Sequence, residues 1–186
     1  MMVVAERKTE ELPVAAARAG RPDAWEVLFK RYQLPLYAYV FDLARDEQAS
    51  LDIVQETFVA AVHHVGGLQS DHKFGSWLFG IAHQRCIQRW RRRVRETEWR
   101  DEVMAAPPAF DPAPDELLIE REREAGFMRC LNALPAPQRS ALMLHFVEDF
   151  SLEEIARITD TGIGTVKSRI HYGKKALREG LKENMT

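Results

Sequence analysis

The chain has 186 residues, 46% hydrophobic and 29% charged, with a formal net charge of −2. That composition excludes an intrinsically disordered chain, and the length admits one ordinary domain or two small ones. The near-neutral total speaks against a general polyanion binder only on average, because the charge is sorted into blocks along the chain.

Residues 1–72 hold 7 basic and 11 acidic groups, residues 73–100 hold 8 and 2, and residues 101–130 hold 3 and 8. Surfaces of either sign are therefore available to separate partners. Cys86 and Cys130 match no metal-ligand spacing and read as reduced core thiols. The opening "MMVVAERKTEELP" lacks the apolar run of a signal peptide, and no stretch approaches a membrane span, so the expectation is a soluble cytoplasmic chain.

Helical periodicity runs through almost the whole sequence. Trp25, Leu28, Phe29 and Tyr32 fall at i, i+3, i+4 and i+7, one face of a helix over 24–33 with Asp23 as its cap. Pro35 predicts a bend or restart before a helix over Leu36–Ala44. "SLDIVQETFVAAVHHV" offers Ser50 as a cap, with Ile53, Val54, Thr57, Phe58 and Ala61 turned inward. On its polar side, Asp52, Gln55 and Glu56 at i, i+3 and i+4 form one ridge. Paired carboxylates there could serve acid–base chemistry, or bind metal together with His63 and His64. No phosphate loop, nucleophile elbow or H-x-x-x-H accompanies them, so a docking ridge or a solvated face is the better reading.

"GGLQSDHKFGS" (66–76) reads as a loop, and "FGSWLFGIAHQRCIQRWRRRVR" (74–95) as a helix that changes character along its length. Trp77, Leu78, Phe79, Ile81, Ala82 and Cys86 make a broad apolar arc for the core. Arg91, Arg92 and Arg93 lie 100° apart and ring the helix, which must leave the core near Trp90. Guanidiniums on a projecting helix end suit a phosphate backbone, and basic groups beside Phe74 and Trp77 suit unstacked bases. Trp77 and Phe79 also fit a plain core role.

Residues 101–116 hold four prolines and five acids without periodicity, a semi-extended linker. A second helical block starts near Leu117, with Leu142, Met143 and Phe146 at helical spacing after Pro135 and Pro137. Ser151 and Glu154 form an S-x-x-E capping box, followed by a helix, the turn "TDTGIG" and a helix from about Gly164 to Lys182. Two helices around a glycine-bearing turn are the helix-turn-helix layout. Along the second helix Val166, Ile170, Gly173, Leu177 and Leu181 form a buried stripe. Lys167, Ser168, His171, Lys174, Lys175 and Arg178 cluster opposite, positioned to reach phosphates and base edges. A solvated lysine-rich surface helix would share that composition, but not the capping box and glycine turn.

"DIVQETF", "FGSWLFGIAHQRCIQRWRRRVR" and "LPAPQRSALMLHFVEDFSLEEIARITDTGIGTVKSRI", in this order and spacing, resemble the signatures of the extracytoplasmic-function group (group 4) of sigma-70 family sigma factors. The resemblance spans about residues 12–182. It implies an all-α chain of two small domains, region 2 over 10–98 and region 4 over 117–184, joined by a linker over 99–116. Its role would be that of a non-enzymatic specificity subunit of bacterial RNA polymerase, without cofactor or metal, and held by an anti-sigma factor. By the same resemblance Asp52, Gln55 and Glu56 would dock on the clamp of the largest polymerase subunit. Leu134, Leu142 and Phe146 would meet the flap of the second-largest. Phe74, Trp77, Arg85, Arg89, Arg91 and Arg92 would take the minus-ten element. Thr165, Lys167, Ser168, Arg169, His171 and Lys174 would take the minus-thirty-five element. The sequence departs from the family pattern at Gln84 and Gln88, at His171 and Tyr172, and at Gly162 in the turn.

Two other readings remain open at this stage. A stand-alone helix-turn-helix regulator would bind duplex DNA without polymerase, and a metal-dependent helical enzyme would hold stoichiometric metal.

Overall fold

Pro22 opens a 23-residue helix because its missing N–H falls where a helix has no acceptor for it, and its fixed φ suits the first turn. The computed structural model describes the backbone over residues 12–97 and 117–183, and side chains over 12–92 and 125–182. The predicted linker over 99–116 lies outside the described residues, as do Arg93 and Arg95 as side chains. Every element among the described residues is helical: α1 (Val14–Arg18), α2 (Pro22–Ala44), α3 (Glu47–His64), α4 (Phe74–Thr97), α5 (Leu117–Ala133), α6 (Ala136–Leu142), α7 (Leu152–Ile158) and α8 (Ile163–Glu183). Contacts divide the chain into two units between Arg85 and Cys86, within α4 and upstream of the boundary predicted at residue 98.

In the first unit α1 and α3 pack on α2. α2 runs unbroken through Pro35, where the sequence predicted a bend or restart. The proline forfeits only the helical bond to the Arg31 carbonyl, and the full burial of Leu36, Tyr39 and Val40 just beyond it holds the second half in line. Asp23 is not the cap of α2. It lies in the first turn and accepts from Arg21 Nε at 3.1 Å and Nη2 at 2.5 Å. The cap of α3 is likewise Asp46, which accepts from the Ala49 N–H at 2.7 Å. Ser50 is buried inside that helix and donates back to the Asp46 carbonyl at 2.6 Å. The glycine-rich stretch after α3 contains two short 3-10 turns, Val65–Gly67 and Asp71–Lys73. Arg18 ties it to α1, donating to Leu68 O at 3.0 Å and Asp71 Oδ1 at 2.6 Å.

The second unit is built on α8, against which α5, α6 and α7 pack. Two glycines seven residues apart let neighbours approach closely: a Cβ on Gly173 would stand 2.9 Å from Leu142 Cδ1, and one on Gly180 would stand 3.1 Å from Cys130 Sγ. The capping box is formed as read, with the Glu154 N–H donating to Ser151 Oγ at 3.2 Å and the Ser151 N–H to Glu154 Oε2 at 3.0 Å. Between α6 and α7 the chain makes one π-helical turn, Met143–Val147, which the periodicity did not foretell. There His145 Nδ1 donates to the Phe150 carbonyl at 3.1 Å.

Candidate nucleic-acid interface and docking ridge

The helix-turn-helix of the second unit is set by local chemistry. The capping box starts α7, Asp160 takes a left-handed φ of 50°, and α8 begins at Ile163. Val166, Ile170 and Gly173 are buried as the stripe predicted, and Leu177 and Leu181 are half-buried. Thr165, Lys167, Ser168, His171, Lys174, Lys175 and Arg178 are exposed, while Arg169 is half-buried. Ser168 spends its proton within the helix, donating to the Gly164 carbonyl at 3.0 Å, so it faces outward as an acceptor. Lys167, His171, Lys174, Lys175, Arg178 and Lys182 line an open groove of about 710 Å³ together with one acid, Glu179, and it is floored in part by Leu152 and Ile170. Positive charge gathered along a concave surface focuses potential toward a polyanion.

α4 carries the other basic segment. Phe74, Leu78, Phe79 and Ala82 are wholly buried. Phe74 lies among aromatic rings, its centroid 6.2 Å from Trp25, 5.6 Å from Tyr32 and 5.8 Å from Trp77. It is a core residue here, and only Trp77 of the predicted aromatic pair is half-exposed. Further along, His83 Nδ1 and the Tyr39 hydroxyl share a buried hydrogen bond of 2.8 Å. Burial pushes the Cys86 thiol up to about 12. Arg89, Trp90, Arg91 and Arg92 are all exposed, Trp90 at 63%. The helix thus leaves the core where the sequence placed its exit.

On α3 the ridge is real. Gln55 and Glu56 are exposed and Asp52 half-exposed, with Gln48 Nε2 donating to Asp52 Oδ1 at 3.1 Å. Glu56 Oε2 accepts from Arg85 Nη1 of α4 at 2.5 Å, which joins a predicted docking residue to a predicted DNA contact. Beside the ridge an apolar groove of about 760 Å³ opens between α2 and α3, lined by Phe29, Leu34, Tyr37, Leu51, Val59 and Val62 among others. Sequence reasoning missed it, having assigned α3 one inward apolar face and one polar ridge. Leu51, Val59 and Val62, at i, i+8 and i+11, were the available signal of a second apolar stripe.

In the second unit Leu134 and Leu142 are buried, and of the predicted flap residues only Phe146 is exposed, at 58%. Lys174 Nζ sits 5.4 Å above its ring centroid. Among the described residues no cluster of three or more His, Cys, Asp or Glu could hold a metal, and His63 and His64 join no such group. No helix among them is long and apolar enough to cross a membrane.

An all-helical chain that ends in a helix-turn-helix with a one-sided basic face has the architecture of a DNA-binding transcription protein. Residues 28–96 match the family model of sigma-70 region 2, and residues 125–177 that of sigma-70 region 4. The chain belongs to the sigma-70 family, in its extracytoplasmic-function group. It is 26% identical to the ECF RNA polymerase sigma factor SigW of Bacillus subtilis, over 91% of this chain and 95% of that one. It is 31% identical to the ECF RNA polymerase sigma factor EcfG of Rhodopseudomonas palustris, over 76% of each. Among solved structures it resembles the sigma factor RpoE of Bartonella quintana, crystallised with the anti-sigma factor NepR. That likeness has a TM-score of 0.67 at 29% identity, covering 83% of this chain and 96% of that one.

Proposed function

We propose that this chain is a dissociable promoter-specificity subunit of bacterial RNA polymerase, acting in the cytoplasm by binding and catalysing nothing itself. Its first domain, over 10–98, docks on the clamp of the largest subunit through Asp52, Gln55 and Glu56. The same domain holds the minus-ten element with Trp77, Arg85, Arg89, Arg91 and Arg92. Its second domain, over 117–184, reads the minus-thirty-five element through Thr165, Lys167, Ser168, Arg169 and His171, with Lys174 on the adjoining backbone. There Phe146 is the exposed group for the flap of the second-largest subunit. The acidic linker over 99–116 joins the two in sequence and enters the active-site cleft of the polymerase. An anti-sigma factor holds the chain inactive by covering its polymerase-binding surfaces.

One observation carries this reading: the exposed basic face of α8 lies opposite a buried stripe, inside the segment matching region 4. The cationic groups neutralise phosphates and place the helix, while the shorter side chains near its start meet base edges. Strand opening is then favoured by exchanging base pairing for protein contacts to separated bases. The test is run-off transcription with core polymerase and a genomic promoter pool, which returns specific starts and their consensus together. Failure to form any complex with core polymerase, with Asp52 and Glu56 substitutions making no difference, overturns it.

A further inference from the structure

Two predicted surfaces of opposite charge meet at one point in the first unit. On α3, Asp52 and Glu56 stand at i and i+4, so Glu56 is the carboxy-terminal carboxylate of the docking ridge. On α4, Arg85, Arg89 and Arg92 stand at i, i+4 and i+7, a single stripe whose second and third members are exposed. Arg85 is the first of that stripe, and it is bound to Glu56.

The pair suits exchange rather than permanence. Its side chains retain 29% (Arg85) and 58% (Glu56) of their exposure, and partly exposed ion pairs of this kind contribute little to stability. The contact with Glu56 is monodentate, through Nη1. A guanidinium whose donors are not all matched gains from an acceptor that takes two of them at once, as a phosphate does.

We propose that Arg85 is a phosphate contact held in reserve by Glu56, so that polymerase docking and promoter binding are coupled through this pair. The proposal rests on the sigma-factor reading above. When the ridge engages a basic surface on polymerase, Glu56 changes partner, and Arg85 joins Arg89 and Arg92 on the DNA backbone. Linkage makes the effect reciprocal: whatever factor docking adds to DNA affinity, DNA adds to docking.

The test uses the full-length protein with Glu56→Gln, Arg85→Gln and the double variant. Glu56 is exposed and glutamine is isosteric, so the first variant keeps the fold. Free Glu56→Gln protein is expected to bind a minus-ten fork DNA severalfold more tightly than wild type, with a salt slope larger by about one. The double variant loses that gain. No gain in Glu56→Gln, or a gain that persists in the double variant as simple loss of an acidic charge, overturns the proposal. With core polymerase, Arg85→Gln is expected to dock more tightly than wild type, because Glu56 is no longer engaged. Weaker docking would show the pair to be structural and would also overturn it. Failure of the sigma-factor reading itself is distinguished by wild-type protein forming no complex with core polymerase.

Discussion

Leu142 occupies the notch that Gly173 leaves on α8: a Cβ at position 173 would stand 2.9 Å from Leu142 Cδ1 and 3.2 Å from its Cγ. Leu142 is 4% exposed, so it has little room to withdraw. Gly173→Ala gains helix propensity but overpacks this contact, and the expected balance is a loss of about 1 kcal/mol. Urea unfolding at constant m reads it. Because the two residues touch, Gly173→Ala combined with Leu142→Ala is expected to cost less than the sum of the single changes.

Phe74 is wholly buried among three aromatic rings, so its loss acts first on folding. Phe74→Ala is expected to destabilise by about 3–5 kcal/mol, and Phe74→Leu by clearly less because leucine refills part of the space. Thermal melts of the two variants give the order. Equal melting temperatures for Phe74→Ala and wild type would contradict a core role.

Ser151 begins α7 by satisfying a helix N–H that has no partner within the helix. Ser151→Ala is expected to cost about 1 kcal/mol. Glu154→Gln keeps the reciprocal bond of the box and is expected to cost only a few tenths. Denaturant midpoints of the two variants separate the hydroxyl from the carboxylate.

Cys86 has its thiol pushed up to about 12 by burial, while Cys130 is half-buried. At pH 8 an alkylating reagent should modify Cys130 first and reach Cys86 only on unfolding, since the thiolate is the nucleophile. The folded state keeps the Cys86 proton at a pH where the unfolded chain releases it. The stability tied to this group is therefore complete below the ordinary thiol range and declines as pH rises from there toward about 12. A Cys86→Ala variant should show a shallower alkaline decline in melting temperature.

Much of the second unit was legible in order. The capping box, the turn and the buried stripe of α8 all follow from spacings within a few residues, and hydrogen bonding and helical periodicity act over that range. The misreadings in the first unit share a different cause. Pro35 reads locally as a break, yet the cores on both sides of it carry α2 through. Asp23 and Ser50 have the chemistry of caps, but each found a partner that left it outside that role: Arg21 for the first, the Asp46 carbonyl for the second. The stretch over 66–73 reads as free loop from its glycines, whereas Arg18, some fifty residues earlier, ties it to α1.

The helical class, the inward face of α3, both faces of α8, the point where α4 leaves the core, and the family could all be read along the chain. All of these are written in local periodicity and in motif order. Packing between distant segments is what buries Phe74, Leu134 and Leu142, opens an apolar groove beside the polar ridge of α3, and pairs Glu56 with Arg85, 29 residues apart, in a salt bridge. Those outcomes depend on which distant side chain arrives to compete for an atom or a surface. Spacing along one helix carries no record of that arrival.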